Sequence, residues 1–325
     1  MNTAKHAAEF NAIAAQLADA ASPPISASND PTLSPLEHID PRLHKLMLAP
    51  LSARIRHVLT DVMIMHPHMV GVCNEVEWLI REPNRQRARG LIIIADWGNG
   101  KSAYAAHVQA RYPCNGALGD PKQIRTVMLS MSGARKTKDV LNRILEGTGA
   151  PISRRNSTSD QQFLVIETLR RMNCRLLVLD ECQDVAEIAE REQQRVLESL
   201  KYTMNTLRMP ILALGTEPAR KAFKVDPHLQ ARFDFIELPR WEVGEDFKAF
   251  LDAFELCLPL KYPSNLSDPK MQEALIKISG GILDKILTRI RLVAVNAMVD
   301  GTERVTVDVV LGGCARPLVD ILGPR

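Results

Sequence analysis

The stretch at residues 91–102, LIIIADWGNGKS, decides the fold of this chain. Its four apolar residues predict a buried strand, and the glycine-containing loop that follows ends in Lys101 and Ser102. Helix-compatible sequence continues over residues 103–111. A phosphate-binding P-loop occurs in this context, in which a strand is followed by a glycine loop, a Lys-Ser pair and a helix. An ordinary strand, turn and helix is the alternative interpretation.

Each residue type in this loop has a physical role at a phosphate group. Glycines allow backbone N–H groups to turn toward an anion, and the helix N-terminus adds its partial positive charge. Lys101 is expected to reach the β- and γ-phosphates, and the Ser102 hydroxyl is expected to bind Mg²⁺. We predict that the nucleotide contacts the loop residues Ala95, Asp96, Trp97, Gly98, Asn99, Gly100, Lys101 and Ser102. The pattern has its first glycine where this chain has Ala95, and alanine does not readily adopt a positive φ.

A second apolar segment, at residues 176–179, ends in Asp180 and Glu181. A continuous apolar run is typical of a strand that is buried on both faces of a parallel sheet. We expect Asp180 to bind the nucleotide-associated Mg²⁺ and Glu181 to polarise the attacking water. A plain strand end is the alternative. The P-loop about 80 residues upstream favours the functional interpretation.

Three further residues are candidates for contact with the phosphates. Thr216 follows a predicted strand at 210–214, and its alternative role is to cap the next helix. Arg232 precedes a predicted strand at 234–238 and would supply positive charge to the nucleotide of a neighbouring subunit. Lys285 lies near the start of a predicted C-terminal helix, where it would face the phosphates. For Arg232 and Lys285 a solvent-facing side chain is the alternative.

The loop GARKTK at residues 133–138 is compact and basic. It follows a predicted strand at 126–130 and opens a helix. Neutralisation of phosphates by basic side chains is the sequence-independent part of DNA affinity. Arg135, Lys136 and Lys138 are therefore candidates for DNA binding, with a solvated helix start as the alternative.

The overall composition disfavours several classes of protein. The net charge of +3 neither requires nor excludes a nucleic acid, so that any DNA contact must come from a local patch. The six cysteines are scattered without a CxxC pair, which disfavours a zinc site or a disulfide framework. No apolar run approaches the roughly 20 residues of a membrane span, and the N-terminus lacks a signal-peptide pattern. We expect a cytoplasmic protein without a membrane segment.

The order of the motifs predicts an α/β protein with a parallel sheet flanked by helices, followed by a helical C-terminal region. Its four regions would be a flexible Pro- and Ser-rich arm at 1–38, an N-terminal helical segment at 39–89, a nucleotide-binding core at 90–240 and a C-terminal helical lid at 241–325. Within these regions we expect a helix at 52–65, a helix at 219–229 and a buried Trp78.

Less generic stretches accompany these motifs along the chain. They are LSARIRHVLTDV, NRQRARG, LVLDECQD, LALGTEPAR, LQARFDFIELPRW, CLPLKYPSNLSDP, SGGILDKILTRI and NAMVDG. Taken together with the P-loop and the Asp180-Glu181 pair, they make residues 40–311 similar to the TniB/TnsC family of AAA+ transposition ATPases. The chain departs from the family pattern at Ala95 and at Cys182-Gln183, where the family tends to have a hydrophobic residue and a histidine.

This resemblance implies a AAA+ P-loop NTPase core with a C-terminal helical lid, and ATP and Mg²⁺ as cofactors. It implies an ATPase that forms a ring or filament of identical subunits on double-stranded DNA and helps to select the target site. The partners implied are a DDE transposase of the TniA/TnsB kind and a TniQ-like targeting factor.

Two other functions would fit a similar sequence. The first is a AAA+ helicase loader or replication initiator, which has the same fold and a different partner. The second is a nucleotide-dependent protein-interaction switch without a DNA role. Binding to duplex DNA in the presence of ATP separates the switch from the other two.

Overall fold

The computed structural model describes residues 36–81, 88–113, 125–152 and 155–312. Two compact units account for these residues. The first unit is His68–Pro239, and the second joins the residues up to Pro67 with those from Arg240 onward. The predicted arm at 1–38 lies outside the described residues except for its last three positions.

Helices make up most of the described chain. In order they are α1 (His44–Met47), α2 (Leu51–Leu59), α3 (Pro67–Arg81), α4 (Lys101–Arg111), α5 (Thr137–Thr148), α6 (Thr158–Arg171), α7 (Glu190–Leu207), α8 (Glu217–Lys224), α9 (Pro227–Gln230), α10 (Glu245–Glu255), α11 (Pro269–Ser279), α12 (Leu283–Val299) and α13 (Val307–Leu311). Short 3-10 helices lie at Leu36–His38, Pro41–Leu43 and Cys182–Glu187. In the parts of the chain that the structure describes, no helix combines the length and the apolar character that a membrane crossing needs.

Five parallel strands form the sheet of the first unit. They are β1 (Gly90–Ala95), β2 (Arg125–Ser130), β3 (Cys174–Asp180), β4 (Ile211–Gly215) and β5 (Phe233–Leu238), and their order across the sheet is β2-β3-β4-β1-β5. Because all five strands run in one direction, their last residues meet along a single edge, which we call the carboxyl edge. The predicted parallel sheet flanked by helices is confirmed.

The central strand β1 is buried on both faces. Ile92 and Ile94 belong to a core that includes apolar residues of α5, α6, α7 and α8. Leu91 and Ile93, on the opposite face, pack with apolar residues of α3 and α4. Successive side chains of a strand point to opposite faces, so a strand between two helical layers must be apolar throughout. Full burial of each such isoleucine stabilises the fold by about 1.5–3 kcal/mol.

The second unit has its own core, centred on Trp241. The Trp241 ring centroid lies 4.9 Å from that of Phe250 and 5.5 Å from that of Phe247. Residues of α2 join this core through Ile55 and Val58. The same helix carries the buried Arg54, whose guanidinium pairs with the Glu303 carboxylate and also donates to the Pro259 carbonyl at 2.6 Å. A buried guanidinium needs such partners because its desolvation is costly.

The expectation of a buried Trp78 is wrong. Its side chain is 58% exposed, although it lies in α3 as the sequence predicts. The apolar face of α3 consists of Met69, Val72, Val76, Leu79 and Ile80. At 100° per residue, position 78 lies on the side of the helix opposite to these residues. Hydrophobicity alone therefore assigned the indole to the wrong face.

Two predicted helices are shorter than expected. The helix predicted at 52–65 ends at Leu59, and Arg291 donates to the Asp61 carboxylate and the Thr60 carbonyl just beyond it. The helix predicted at 219–229 is divided into α8 and α9. Pro227 cannot continue the backbone ladder, and the Asp226 carboxylate accepts the N–H groups that begin α9.

Gly281 and Gly301 form a matched pair for testing the packing of the second unit. Both have a φ of +76°, but a Cβ at Gly281 would lie 2.3 Å from the Trp241 carbonyl oxygen, whereas one at Gly301 meets nothing within 4 Å. We expect Gly301→Ala to lower the free energy of unfolding by about 1–2 kcal/mol, the cost of the left-handed conformation. Gly281→Ala should cost about 2–5 kcal/mol, because the steric conflict is added.

Chemical denaturation of the two variants, followed by tryptophan fluorescence, measures this difference. Equal losses of stability in the two variants would contradict the close approach of Gly281 to Trp241.

Candidate active site

The P-loop begins where β1 reaches the carboxyl edge. Gly98 and Gly100 have φ values of 75° and 80°, and α4 begins at the next residue, Lys101. Residues that carry a side chain rarely adopt this left-handed conformation, so glycine is strongly favoured at both positions. Ala95 is the last residue of β1 and is not among the residues with a positive φ. An alanine therefore fits the position at which the sequence pattern has a glycine.

The Lys101 side chain is turned into the loop and is only 6% exposed. Its Nζ donates to the carbonyl oxygens of Ala95 and Asp96, each at 2.9 Å. The same ammonium lies 5.6 Å from the centroid of the Trp97 ring, which is itself 65% exposed. The loop thus holds a buried cation against two carbonyls and an aromatic face.

Opposing effects act on the pKa of Lys101. Burial lowers this pKa from its ordinary value because it disfavours the charged form. The carboxylates of Glu181, Asp180 and Asp96 favour the ammonium and oppose the shift. A phosphate placed beside Nζ would act in the same direction as these carboxylates, so that anion binding and protonation of Lys101 reinforce each other.

Ser102 and Asp180 lie together although they are 78 positions apart in the sequence. The Ser102 Oγ donates to Asp180 Oδ2 at 3.3 Å, and Asp180 is the buried last residue of β3. A hydroxyl and a carboxylate are the hard oxygen ligands that Mg²⁺ prefers, and the lysine ammonium of the P-loop lies close by. The residues present therefore fit a magnesium-bound nucleoside triphosphate.

Glu181 adopts a strained conformation directly after β3. Its φ of 57° and ψ of 40° are left-handed, which costs a non-glycine residue about 1–2 kcal/mol. Such conformations persist where the surrounding structure enforces them, and they concentrate at active sites. The Gln183 Nε2 donates to the Glu181 carboxylate, and the Gln183 Oε1 accepts the backbone N–H of Thr216 at 3.3 Å.

Sequence reasoning did not assign Gln183 to the site. The sequence marks this position only as a departure from the usual family residue. Its side chain is 4% exposed and joins the segment after β3 to the segment after β4. An amide two residues beyond an acidic pair gives no sign of this bridge, because the contact depends on the 3-10 turn that begins at Cys182.

Thr216 lies at the carboxyl edge, beside Gln183. It is 7% exposed and stands at the N-cap of α8, but its hydroxyl makes no capping hydrogen bond. The alternative, that the Thr216 side chain caps α8, is therefore wrong. The backbone N–H of Thr216 donates to Gln183, and the Gln183 side chain in turn donates to Glu181, so Thr216 is connected to the segment after β3.

Arg232 is not brought to the P-loop of its own chain, although both belong to the first unit. Arg232 precedes β5, and its carbonyl accepts the N–H of Gly90 at 2.9 Å at the start of β1. The length of β1 separates it from the P-loop by about 16 Å. The Arg232 guanidinium donates to the Asn205 side chain. Lys285 belongs to the second unit, where it is exposed near the start of α12.

The basic loop after β2 is held against the segment that follows Asp180. Met131 N–H donates to the Asp180 carbonyl at 2.7 Å, and Gly133 N–H donates to Asp184 Oδ2 at 2.8 Å. An Arg135 Nη1 lies 3.6 Å from Glu187 Oε2, and both side chains are more than half exposed.

The other two basic residues of this loop differ in exposure. Lys136 is exposed before α5, whereas the Lys138 Nζ donates to the Asn156 carbonyl at 2.8 Å. The backbone N–H groups of Arg135 and Lys136 both donate to the Asp139 carboxylate. The loop therefore has a defined conformation that presents Arg135 and Lys136 to solvent.

Solved structures with the same fold are AAA+ proteins. The ORC2 protein of Aeropyrum pernix with ADPNP and ADP is 17% identical, with a TM-score of 0.59 over 80% of this chain and 71% of its own. The A. pernix ORC1 protein in complex with DNA is 15% identical, with a TM-score of 0.56 over 81% and 68%. The Drosophila ORC bound to DNA is 14% identical, with a TM-score of 0.52 over 94% and 72%. The AAA+ fold is thus confirmed.

A comparison with curated proteins gives no match. The sequence model of the family described as bacterial TniB protein, in contrast, matches residues 54–243. This match covers more than half of the chain and includes the P-loop, the Asp180-Glu181 pair and Arg232. The chain therefore belongs to the TniB family of bacterial proteins.

Proposed function

We propose that this protein is an ATPase that assembles on double-stranded DNA and regulates transposition by selecting a target and recruiting or activating a DDE transposase. The observation that carries the proposal is the contact between Ser102 and Asp180, with Lys101 and Glu181 at the same edge of the sheet. A hydroxyl, two carboxylates and an ammonium in this arrangement are the groups that phosphoryl transfer from a nucleotide requires.

Each of these side chains has a defined part in hydrolysis. Lys101 binds the β- and γ-phosphates, and the glycine loop donates backbone N–H groups to them. Ser102 and Asp180 would hold Mg²⁺, which neutralises charge on the phosphate oxygens. Glu181 orients and polarises the attacking water. Thr216, after β4, is the proposed polar residue beside the γ-phosphate and this water. The family and the ADPNP- and ADP-containing fold relative support ATP as the nucleotide.

Assembly of several subunits is part of this proposal. Arg232 lies at the edge of the sheet opposite to the P-loop, so it cannot serve the nucleotide of its own chain without dismantling β1 or β5. In a ring or filament, one subunit presents this edge to the nucleotide of the next through a head-to-tail interface. An arginine supplied in this way stabilises the charge that develops on the transferred phosphoryl group. Lys285, from the proposed helical lid, is a separate candidate for a basic residue that faces the phosphates of the bound nucleotide.

Double-stranded DNA is the proposed surface for assembly. The solvent-facing Arg135 and Lys136 project from a loop whose backbone is bonded to the Asp180–Glu187 segment. Phosphate contacts made by such a loop are sequence-independent, as expected of a protein that acts at many targets. Two structures with this fold, those of the ORC1 protein and of Drosophila ORC, contain DNA, which supports the same class of ligand.

Membership in the TniB family supports the transposition role. On this basis we propose a TniA/TnsB-like DDE transposase and a TniQ-like targeting factor as protein partners. The likeness to ORC proteins favours a second candidate, a helicase loader or replication initiator. Co-purification with a replicative helicase, and not with a transposase, would reverse this ranking.

The first test is electron microscopy of the protein with long duplex DNA and ATP or a non-hydrolysable analogue. We expect rings or filaments on DNA that require nucleotide. Lys101→Ala should abolish them and weaken ATP binding at least tenfold, because the cation that contacts the phosphates is lost. Lys221→Ala, which changes an exposed lysine of the same unit, is the matched control. A protein that binds ATP and ignores DNA would point instead to a protein-interaction switch.

The basic loop predicts a specific loss of DNA binding. Changing Arg135, Lys136 and Lys138 together to Glu should abolish duplex binding at moderate salt and leave ATP affinity unchanged. Replacement of three exposed basic residues elsewhere, Arg171, Arg191 and Lys221, makes the same change in net charge and serves as the control. In gel shifts over a salt series, the slope of log K against log salt should fall by about one for each phosphate contact removed.

Retention of DNA affinity in the triple variant would show that another surface binds the phosphates. Melting temperatures of both triple variants are needed because Lys138 also bonds to the Asn156 carbonyl.

A mixing experiment tests the contribution of Arg232 to a neighbouring subunit. Arg232→Ala and Glu181→Gln should each hydrolyse ATP poorly when alone, and both keep Lys101 for nucleotide binding. In an equal mixture, about a quarter of head-to-tail interfaces would combine an intact Glu181 with an intact Arg232 from the neighbour, so ATPase activity should return in part. Arg191→Ala, which lies on an exposed helix face, is expected to be active. A mixture that stays inactive would contradict action between subunits.

A further inference from the structure

The buried side chain of Gln183 bridges two parts of the candidate site. Its Nε2 donates to the Glu181 carboxylate, and its Oε1 lies 3.3 Å from the backbone N of Thr216. The residue is 4% exposed, so both bonds lie largely away from solvent. One amide thus connects the end of β3 with the end of β4.

The orientation of this amide follows from the chemistry of its partners. A backbone N–H is only a donor, so the group that faces Thr216 must be the carbonyl oxygen Oε1. The NH₂ group then faces Glu181, whose ionised carboxylate is only an acceptor. Exchanging the two ends would place donor against donor and acceptor against acceptor. The bridge therefore has one consistent arrangement.

The surrounding backbone fixes the bridge in place. Gly215 lies so close that a Cβ there would be 3.3 Å from Gln183 Oε1 and 2.6 Å from the Ala219 Cβ. The backbone of Glu181 is itself held in the left-handed conformation. A carboxylate that is bonded to a buried amide, on a strained backbone, has lost most of its rotational freedom.

We propose that Gln183 is a positioning residue for ATP hydrolysis: its amide holds the Glu181 carboxylate in a fixed relation to the Thr216 segment. This proposal rests on the proposed ATPase function, and it goes beyond that function by assigning a role to a residue outside the two nucleotide motifs. In this proposal Gln183 acts through its bonds to Glu181 and Thr216.

The consequence for the reaction is a constraint on the orientation of Glu181. Glu181 polarises water efficiently only if its carboxylate points to the place from which water attacks. The bond from the Gln183 Nε2 restricts the rotation of the Glu181 side chain. The bond from the Thr216 N–H to the Gln183 Oε1 fixes the position of the amide relative to the end of β4. Loss of the bridge should therefore slow hydrolysis without weakening the contacts of Lys101, Ser102 and Asp180 with the nucleotide.

Two substitutions separate the halves of the bridge. Gln183→Met keeps a side chain of similar length but removes the strong donor and acceptor. Gln183→Glu keeps an acceptor for the Thr216 N–H and, once its new carboxyl is ionised, replaces the donor to Glu181 with a like charge. Gln161→Met is the matched control, since Gln161 is a buried glutamine of the same unit that bonds to the Asn142 side chain.

The experiment measures kcat and KM for ATP, the Kd for ATP with and without Mg²⁺, and the melting temperature of each variant. Both changes at Gln183 should lower kcat about ten- to a hundredfold, the loss expected for a positioning bond to a charged group. The Kd should stay within about threefold of wild type, since the phosphate-binding groups are unchanged. At alkaline pH, where its new carboxyl is ionised, Gln183→Glu should be at least as slow as Gln183→Met, although it keeps the bond to Thr216.

The outcomes distinguish the proposal from the function on which it rests. A wild-type chain that binds ATP and does not hydrolyse it would contradict the ATPase function and the proposal with it. A hydrolysing wild type with unchanged kcat in Gln183→Met would overturn only the role of Gln183. Wild-type kcat in Gln183→Glu at alkaline pH, where the new carboxyl is ionised, would do the same, because it would show that the contact with Glu181 is dispensable. A fall in ATP affinity that matches the fall in kcat would indicate general damage and would also overturn it.

Discussion

Parallel pairing of β1, β4 and β3 is the constraint on which the candidate site depends. These strands end at one edge, so the P-loop after β1, the Asp180-Glu181 pair after β3 and Thr216 after β4 are neighbours although they are far apart in sequence. The contact between Ser102 and Asp180 is the direct result. Helices on both faces keep the sheet buried, which explains why its central strands contain almost only apolar residues.

Charged groups of opposite sign lie close together at this edge of the sheet. The Lys101 ammonium is buried and lies within the influence of the carboxylates of Asp96, Asp180 and Glu181. Two loop carbonyls hold it in place, and a triphosphate would offer stronger, charged acceptors at the same position. A preorganised cation of this kind requires little rearrangement of the protein when an anion binds, which is the property that electrostatic catalysis uses.

The same sheet also separates two groups with different proposed roles, Arg232 and the basic loop after β2. Arg232 lies before β5, at the edge opposite to the P-loop, whereas the basic loop after β2 lies at the carboxyl edge and is bonded to the segment that follows Asp180. Arg232 and the P-loop of the same chain are separated by about the length of β1. The proposed role of Arg232 is therefore to act on the nucleotide of a neighbouring subunit. The basic loop is bonded to Asp180 and Asp184 of the same subunit. The proposed DNA-binding residues therefore lie close to the Asp180-Glu181 pair.

The sequence by itself determined the elements with strong local signals. The P-loop, the parallel sheet, and the strand that ends in Asp180 were predictable because buried strands need continuous apolar runs and phosphate loops need glycine at fixed positions. Several features followed only from the tertiary structure. Trp78 is exposed because the direction of the core selects one face of α3, and the helix predicted at 52–65 stops at Leu59, next to residues that Arg291 contacts. Gln183 bridges Glu181 and Thr216 because parallel pairing brings together strand ends that are distant in sequence, and no local pattern records such a contact.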